Sequence, residues 1–267
     1  MVITFEEINV QKKYNEEIEQ LCSEKNIDCK SWSLVKNNLH NIILNNNITH
    51  SIAIGWKYLI PLSINRLLED DLIIFHDSLL PKYRGFAPTS TAIICGDEEI
   101  GMSVIYASEE VDSGDIILQK KFNIKDNMYI DEIIDKQSNL YSEAIEDLIN
   151  MIKRNRIHSV SQDETKATYS IWRNPEDCRI DWSMSSKQIF NLIRAVGFPY
   201  TGAYTYYENE KIFIWKSEIV EEINFAIRHQ GKIWSCKNDM PIIVCGTGML
   251  RLINITDEHG NKIKFPK

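Results

Sequence analysis

The chain has 267 residues, of which 43% are hydrophobic and 25% are charged, and its formal net charge is -8. These proportions are typical of a globular protein with one large domain or two ordinary ones. No apolar run approaches the roughly 20 residues that a membrane helix needs. The first residues also lack the basic, apolar and small-residue order of a signal peptide. We therefore expect a cytoplasmic protein without a membrane partner.

The distribution of charged residues and of cysteines argues against a nucleic-acid partner and against a metal site. Residues 168–267 hold 13 of the 30 Lys and Arg residues and 11 of the 38 Asp and Glu residues, so neither half is strongly basic. A nucleic-acid partner needs a cationic surface that neutralises several phosphates, and no Lys/Arg stripe or tail provides one. The six cysteines form no Cys-x-x-Cys pair, which predicts reduced thiols and no metal site.

The first half of the chain alternates between strand and helix patterns. Ile18, Leu21 and Cys22 recur at helical spacing, whereas residues 49–54 and 72–75 form short apolar runs. The predicted elements are a helix over residues 14–25, strands at 49–54, 72–75, 102–106 and 116–119, a short helix between the first two of these strands, and a long helix over 130–152. This alternation predicts a mainly parallel sheet.

The second half of the chain has a different pattern of predicted elements, in which strands dominate. The polar stretch 154–168 has no sustained apolar period and suggests a boundary, which gives domains at 1–166 and 167–267. Ser185 and Gln188 form the pattern of a capping box before an apolar helix that Gly197 ends. Five strand patterns separated by turn residues follow, at 203–207, 211–216, 232–236, 242–245 and 250–255. They predict a small antiparallel β-barrel.

One histidine and one aspartate stand where predicted strands give way to loops. Apolar residues 72–75 predict a buried strand that ends at His76, and Asp112 lies in the polar segment between the next two strands. Ligands bind at the carboxyl ends of strands in open parallel sheets. A histidine can move a proton near neutral pH, and a nearby aspartate stabilises its imidazolium. The alternative is a capped loop histidine and an Asx-turn aspartate.

The flanking residues resemble a known family. Ser78-Leu79-Leu80-Pro81 with Gly85, followed by Val111-Asp112-Ser113-Gly114, is similar to the formyltransferases that use N10-formyltetrahydrofolate. The resemblance covers nearly the whole chain. It implies an α/β fold in which a Rossmann-like, mainly parallel sheet domain precedes a small OB-like β-barrel domain. It also implies that His76 and Asp112 are the catalytic residues and that the formyl donor is a folate.

The resemblance also implies binding residues. The loop of residues 55–61, with the loop that reaches Asp112, would hold the pterin edge of the folate, and an ordinary β-to-α loop is the alternative. Arg84 would suit a carboxylate or diphosphate, or would be a solvated loop arginine. Arg194 would contact the sugar nucleotide or brace the two domains. The implied set is Trp56, Tyr58, Leu59, Ile60 and Asp112 for the folate, and Lys82, Tyr83, Arg84 and Arg194 for the other substrate.

Two departures from the family pattern bear on activity. The family carries an asparagine, a donor to the developing oxyanion, at the position that is Ile74 in this chain. Loss of one oxyanion donor typically lowers the rate by about 10² to 10³. The family also opens with a strand, a glycine turn and a helix before the segment that matches Val2, and here this unit is absent. Because of both departures, a further alternative stays open, in which the chain is a degenerate, non-catalytic protein that binds a sugar nucleotide or folate.

Residues 169–182 and 193–204 resemble the linker and carboxy-terminal domain of sugar-nucleotide formyltransferases. This similarity implies formyl transfer to a nucleotide-linked amino sugar, a dTDP-linked 3- or 4-amino dideoxyhexose for a surface polysaccharide such as the O-antigen of lipopolysaccharide. A homodimer is possible as well, and the sequence leaves the oligomeric state open. The alternative substrate is methionyl-tRNA. In family terms that enzyme has a basic loop where this chain has the short and nearly neutral residues 6–13.

Overall fold

A computed structural model of the protein describes residues 1–6 and 13–265. The chain divides into two compact units. The first contains Met1–Phe86, Gly101–Lys121 and Asn139–Tyr169, and the second contains Ala87–Ile100, Phe122–Ser138 and Ser170–Lys267. The domain boundary between residues 166 and 167 stays a prediction. Within the described residues, no helix is both long enough and apolar enough to cross a membrane.

The helices and strands alternate through the first part of the chain and strands dominate the last part. The helices are α1 Asn15–Glu24, α2 Trp32–Val35, α3 Leu39–Asn45, α4 Pro88–Cys95, α5 Ile130–Lys153 and α6 Ser186–Val196. The strands are β1 Val2–Thr4, β2 Cys29–Ser31, β3 Ile52–Ile54, β4 Ile73–His76, β5 Arg84–Gly85, β6 Glu99–Tyr106, β7 Ile116–Asn123, β8 Tyr169–Ser170, β9 Ala203–Tyr207, β10 Glu210–Val220, β11 Ile233–Lys237, β12 Met240–Val244 and β13 Met249–Thr256.

The α/β fold class is confirmed, with parallel pairing of β1 with β2 and of β3 with β4. The larger sheet of the first part has the order β3-β4-β6-β7 among the described residues. β6 runs antiparallel to β4, so that Tyr106 lies opposite Ile73 and Ser103 lies opposite His76. The carboxyl end of β6 is therefore beside the amino end of β4, a reversal that the sequence pattern does not reveal.

Two apolar clusters of the first unit lie on opposite faces of β4, because successive side chains of a strand alternate. On one face, Ile73 and Phe75 pack with Ala144 and Leu148 of α5. On the other face, Leu72 and Ile74 belong to a cluster with the helix α3 and the loop after β3. β4 is buried on both faces, and this explains its continuous apolar run.

The second unit contains an antiparallel sheet with the order β11-β12-β13-β10-β9. Helix α6 begins with the predicted capping box: Ser185 Oγ accepts a hydrogen bond from the Gln188 N–H at 3.2 Å, and Gln188 Oε1 accepts from the Ser185 N–H at 3.0 Å. The apolar stripe of this helix, which includes Ile189, Ile193 and Val196, is buried. The antiparallel β domain is confirmed.

Most predicted elements are present, and the predictions failed where local signals are weak. The segment predicted as a short helix after β3 is a 3-10 helix over Leu62–Leu67. Helices α2 and α3 were not predicted because they are only four and seven residues long. Helix α4 was missed as well. It begins after Ala87, which has a left-handed φ of 49° and makes no side-chain cap hydrogen bond, so Pro88 in its first turn marks its start and a capping side chain does not.

Candidate active site

His76 is the last residue of β4, and its side chain is buried. Its imidazole lies between two acceptors. Nε2 is 2.9 Å from the carbonyl oxygen of Tyr83, and Nδ1 is 3.4 Å from Asp112 Oδ2. A carbonyl oxygen only accepts, so Nε2 carries a hydrogen. Only a ring with hydrogen on both nitrogens can donate to the Asp112 carboxylate as well.

Asp112 reaches the histidine by a path that the sequence did not predict. The Asp112 loop, residues 107–115, leaves β6 at the amino end of β4, where the Ala107 N–H bonds the Leu72 carbonyl at 2.7 Å. The loop must therefore run back along β4 by about 10 Å, the length of three strand residues, to bring Asp112 to His76. Asp112 has a φ of 51°, which L-residues rarely adopt, and its Oδ2 accepts a 2.8 Å hydrogen bond from the Gly85 N–H. The structure thus brings the two predicted catalytic residues together.

The segment between His76 and Arg84 is held by two side chains that sequence reasoning missed. Ser103 Oγ donates to the Ser78 carbonyl at 2.6 Å and accepts from the Leu80 N–H at 3.1 Å. Gln119 Nε2 donates to the Leu80 carbonyl at 2.9 Å and to Ser103 Oγ at 2.8 Å. Ser103 pairs with His76 across the sheet. A buried serine in an apolar strand is the one signal that could have indicated this link.

Arg84 lies inside the unit and not at its surface. Its exposure is 0%, and its guanidinium forms two parallel hydrogen bonds with the carboxylate of Glu164 at 2.8 and 2.6 Å. The hydrogen bond to Glu164 raises the pKa of Arg84 and lowers the pKa of Glu164. The solvated alternative is wrong because Arg84 is buried, and its contact with an anionic substrate group stays a prediction. Lys82 is exposed and Tyr83 is half-buried, so these two predicted substrate contacts reach the surface.

The loop of residues 55–61 leaves the same edge of the sheet as His76, because Ile54 of β3 lies beside Phe75 of β4. Trp56 is half-buried and contacts Trp32 and Phe5, with ring centroids 5.0 and 5.1 Å apart. Its Nε1 is buried and has no hydrogen-bond partner among the described residues. Beyond it Tyr58 and Leu59 are exposed and Ile60 is half-buried. The loop thus offers apolar side chains and one unused donor.

Asp77 is a third residue that the sequence analysis missed, after Ser103 and Gln119. It follows His76, and strand alternation directs its side chain to the opposite face of the sheet, where it accepts a hydrogen bond from the Tyr141 hydroxyl. Burial raises the pKa of Asp77 to about 6, although the neighbouring His76 acts to lower it. Ile74 lies two residues before His76 and therefore on the same face as its imidazole.

Arg194 lies in helix α6 of the second unit. It is buried, its Nε donates to Asn191 Oδ1 at 3.1 Å, and its Nη1 donates to the Met128 carbonyl at 3.2 Å. Burial lowers the pKa of Arg194. All of these partners belong to the second unit, and the role of Arg194 in substrate binding stays a prediction. In the described part of the chain, no three His, Cys, Asp or Glu side chains are placed to hold a metal ion.

Comparisons with known proteins agree with the geometry. A family model described as "Formyl transferase" matches residues 7–149, and one described as "Formyl transferase, C-terminal domain" matches residues 173–267. A methionyl-tRNA formyltransferase from Caldanaerobacter subterraneus is 30% identical over 248 residues, which are 92% of this chain and 79% of that protein.

Two solved structures share the fold. An N-formyltransferase from Helicobacter canadensis, crystallised with folinic acid and dTDP-3-aminofucose, has a TM-score of 0.62 and 17% identity over 94% of this chain and 97% of that chain. HypX from Aquifex aeolicus, in complex with tetrahydrofolic acid, has a TM-score of 0.67 and 16% identity over 99% of this chain. This chain spans 45% of the length of HypX.

Proposed function

Because the chain belongs to the formyl transferase family, we propose that it transfers the formyl group of N10-formyltetrahydrofolate to the amino group of a nucleotide-linked amino sugar. One observation carries the proposal: the imidazole of His76, at the end of strand β4, and the carboxylate of Asp112, on a separate loop, lie 3.4 Å apart. The proposal includes the catalytic roles of these two residues and the folate role of the 55–61 loop.

The reaction forms a bond between the amine nitrogen and the formyl carbon and breaks the bond between that carbon and N10 of the folate. One proton leaves the amine and one proton reaches N10. His76 can carry this proton, since a histidine transfers protons efficiently near neutral pH. The Tyr83 carbonyl lies 2.9 Å from Nε2 and accepts its hydrogen bond, and the Asp112 carboxylate, 3.4 Å from Nδ1, can form an ion pair with a doubly protonated ring. They therefore stabilise the imidazolium that forms between the two transfers.

Two features of the 55–61 loop support folate binding there. The loop starts beside the end of β4, as the register of Ile54 with Phe75 requires. The buried Nε1 of Trp56 lacks a partner among the described residues, and a buried donor is normally satisfied by some group. An acceptor atom on the pterin would supply it. Tyr58, Leu59 and Ile60 would then cover the apolar part of the donor.

The proposed acceptor is a dTDP-linked 3- or 4-amino dideoxyhexose, used for a surface polysaccharide. The protein from Helicobacter canadensis that was crystallised with dTDP-3-aminofucose aligns over nearly the full length of both chains, which supports an acceptor of this class. The net charge of -8 also disfavours a polyanion as large as tRNA. Lys82 is the exposed cation nearest to His76 in sequence and is the proposed contact for the diphosphate.

Methionyl-tRNA is the second candidate acceptor, because the relative from Caldanaerobacter subterraneus, which is 30% identical to this chain, is named a methionyl-tRNA formyltransferase. The segment that would distinguish the two, residues 6–13, falls mostly outside the described residues. Binding of tRNA would depend steeply on salt, since it releases counterions from phosphates. A shallow salt dependence of turnover with an amino sugar would support the first candidate.

The test is an assay of the purified protein with N10-formyltetrahydrofolate and either a panel of dTDP-linked amino sugars or methionyl-tRNA. We expect a formamido sugar as product, and we expect His76→Asn and Asp112→Asn to lower the rate by about 10² to 10⁴. His50 and Asp70 form a matched control, since His50 Nε2 is 3.3 Å from Asp70 Oδ2 on the surface of the same unit. His50→Asn and Asp70→Asn should leave the rate unchanged.

Two results would reject the proposal. Formyl-methionyl-tRNA as the sole product would establish the second candidate. Binding of the folate and of the sugar nucleotide without any formylated product would establish a non-catalytic binding protein.

A further inference from the structure

Gln162 holds the Asp112 loop from a distant part of the chain. Its Nε2 donates to the carbonyls of Asp112 and Gly114, both at 2.8 Å. Its Oε1 accepts from Nε and Nη2 of Arg84, at 3.1 and 2.8 Å. All four hydrogen bonds of this amide are therefore used. None of them serves the proton transfer directly.

The partners fix the orientation of the amide. A carbonyl oxygen only accepts and a guanidinium only donates, so the NH₂ group must face the Asp112 loop and the oxygen must face Arg84. Arg84 is itself fixed, because it is buried and bonded to both carboxylate oxygens of Glu164. The clamp on the Asp112 loop is thus anchored on the buried side chain of Arg84, which the exposed carboxylate of Glu164 holds from the surface side.

Gln162 also connects the two groups that contact the imidazole of His76. Arg84 follows Tyr83, whose carbonyl bonds Nε2, and Asp112 faces Nδ1. Tyr83 and Asp112 both have a positive φ, 60° and 51°. Such conformations of bulky or charged L-residues persist only when the surroundings restrain them. The bonds from Gln162 restrain the backbone at Asp112 and, through Arg84, the residue beside Tyr83.

We propose that Gln162 is a positioning residue that sets the distance between the Asp112 carboxylate and the His76 imidazole. This inference rests on the proposed function, because it gives His76 and Asp112 their catalytic roles. Gln162 does not touch the reacting atoms. It acts by restraining the loop that carries one of them.

The test compares Gln162→Met, which keeps the length of the side chain but loses all four hydrogen bonds, with Gln162→Glu, which keeps the acceptor for Arg84 but turns an oxygen toward two carbonyl oxygens. Gln230→Glu is the matched control, since Gln230 is exposed. A misplaced catalytic group can lower the rate about 10²-fold. We expect a fall of kcat of that order in both Gln162 variants, with the KM of each substrate nearly unchanged and no change in the control.

A double-substitution cycle separates positioning from general support of the fold. When Asp112 is already replaced by Asn, replacement of Gln162 should lower kcat no further, because the positioned group is gone. If the reductions in kcat of the two single variants multiply in the double variant, the proposal is overturned. If Gln162→Met does not fold, Gln162→Glu provides the same comparison.

An NMR titration of the His76 ring nitrogens gives a readout that needs no turnover. The titration curve of His76 should shift in both Gln162 variants in the direction seen in Asp112→Asn. If it moves in Asp112→Asn but coincides with the wild-type curve in both Gln162 variants, positioning by Gln162 is excluded, whether or not any formyl product is found. An absence of product with a shifted titration would instead reject the proposed function alone.

Discussion

The hydroxyl of Tyr141 donates a hydrogen bond to the carboxylate of Asp77, the residue that follows His76. The same tyrosine ring is stacked on Phe75, with ring centroids 5.6 Å apart. Helix α5 therefore fixes β4 on the face opposite to the imidazole. The residues just before and just after His76 are both tied to one tyrosine.

We expect Asp77→Asn to stabilise the protein at neutral pH. Burial raises the pKa of Asp77 from 3.8 to about 6, so between these values the folded state holds a proton that the unfolded state has released. The free energy of unfolding of the wild type therefore falls as pH rises from about 4 to about 6, by at most about 3 kcal/mol. Asparagine cannot ionise and should avoid this loss.

The check on Asp77→Asn is urea unfolding of both proteins at several pH values. The variant should be the more stable protein above pH 6, and the gap should shrink toward pH 4 and vanish below it. A difference that is constant across this range would show that the ionisation of Asp77 does not differ between the folded and unfolded states.

Replacement of Ile74 by asparagine should raise the rate of formyl transfer. Ile74 lies on the same face of β4 as His76 and has no polar hydrogen, whereas an oxyanion donor is typically worth about 10² to 10³ in rate. Ile54→Asn is the control, because Ile54 is exposed. An unchanged kcat in Ile74→Asn, with the fold intact by circular dichroism, would mean that another donor already stabilises the oxyanion.

Gly114→Ala should disturb the Asp112 loop. A Cβ atom at Gly114 would lie 1.8 Å from the carbonyl oxygen of Tyr106, so the backbone must move. Such overpacking typically costs about 1 to 3 kcal/mol of stability, and the carboxylate of Asp112 would move with the loop. Gly197→Ala is the control, since its Cβ would meet only Ile193 O at 3.5 Å.

The Gly114→Ala prediction is checked by thermal unfolding together with kcat. We expect both to decrease in Gly114→Ala and neither to change much in Gly197→Ala. Equal unfolding midpoints for wild type and Gly114→Ala would contradict the close approach of the two loop ends.

Arg84→Lys should destabilise the first unit although it keeps the positive charge. Lysine cannot reproduce the paired hydrogen bonds to Glu164 together with those to Gln162. Hydrogen bonds to charged groups are worth about 1.5 to 3 kcal/mol each. Lys166→Met, in the same segment, removes an exposed ion pair with Asp163 at 2.9 Å and should change little. The free energy of unfolding, measured with urea, distinguishes the two variants. An equal loss of stability in both would argue against Arg84 as a buried anchor.

The sequence by itself determined the class of fold and named the pair, His76 and Asp112, that we propose as catalytic. Local rules suffice for these features: a continuous apolar run predicts the buried strand before His76, and helical spacing predicts α5 and α6. A resemblance in the residues around His76 and Asp112 was enough to indicate the family. Helices α2 and α3 escaped because they are too short to show a helical period, and α4 escaped because Pro88, and no capping side chain, marks its start.

Only the tertiary structure decided how the two catalytic candidates meet and what holds them. The antiparallel direction of β6 sends the Asp112 loop back along β4, and no periodicity encodes the direction of a strand. The paired hydrogen bonds between buried Arg84 and Glu164, and the amide of Gln162 between Arg84 and Asp112, join residues about 80 and 50 positions apart in the chain. Such links depend on the packing of distant segments, because a side chain's partner is set by the neighbours that folding brings to it and not by the residues beside it in sequence.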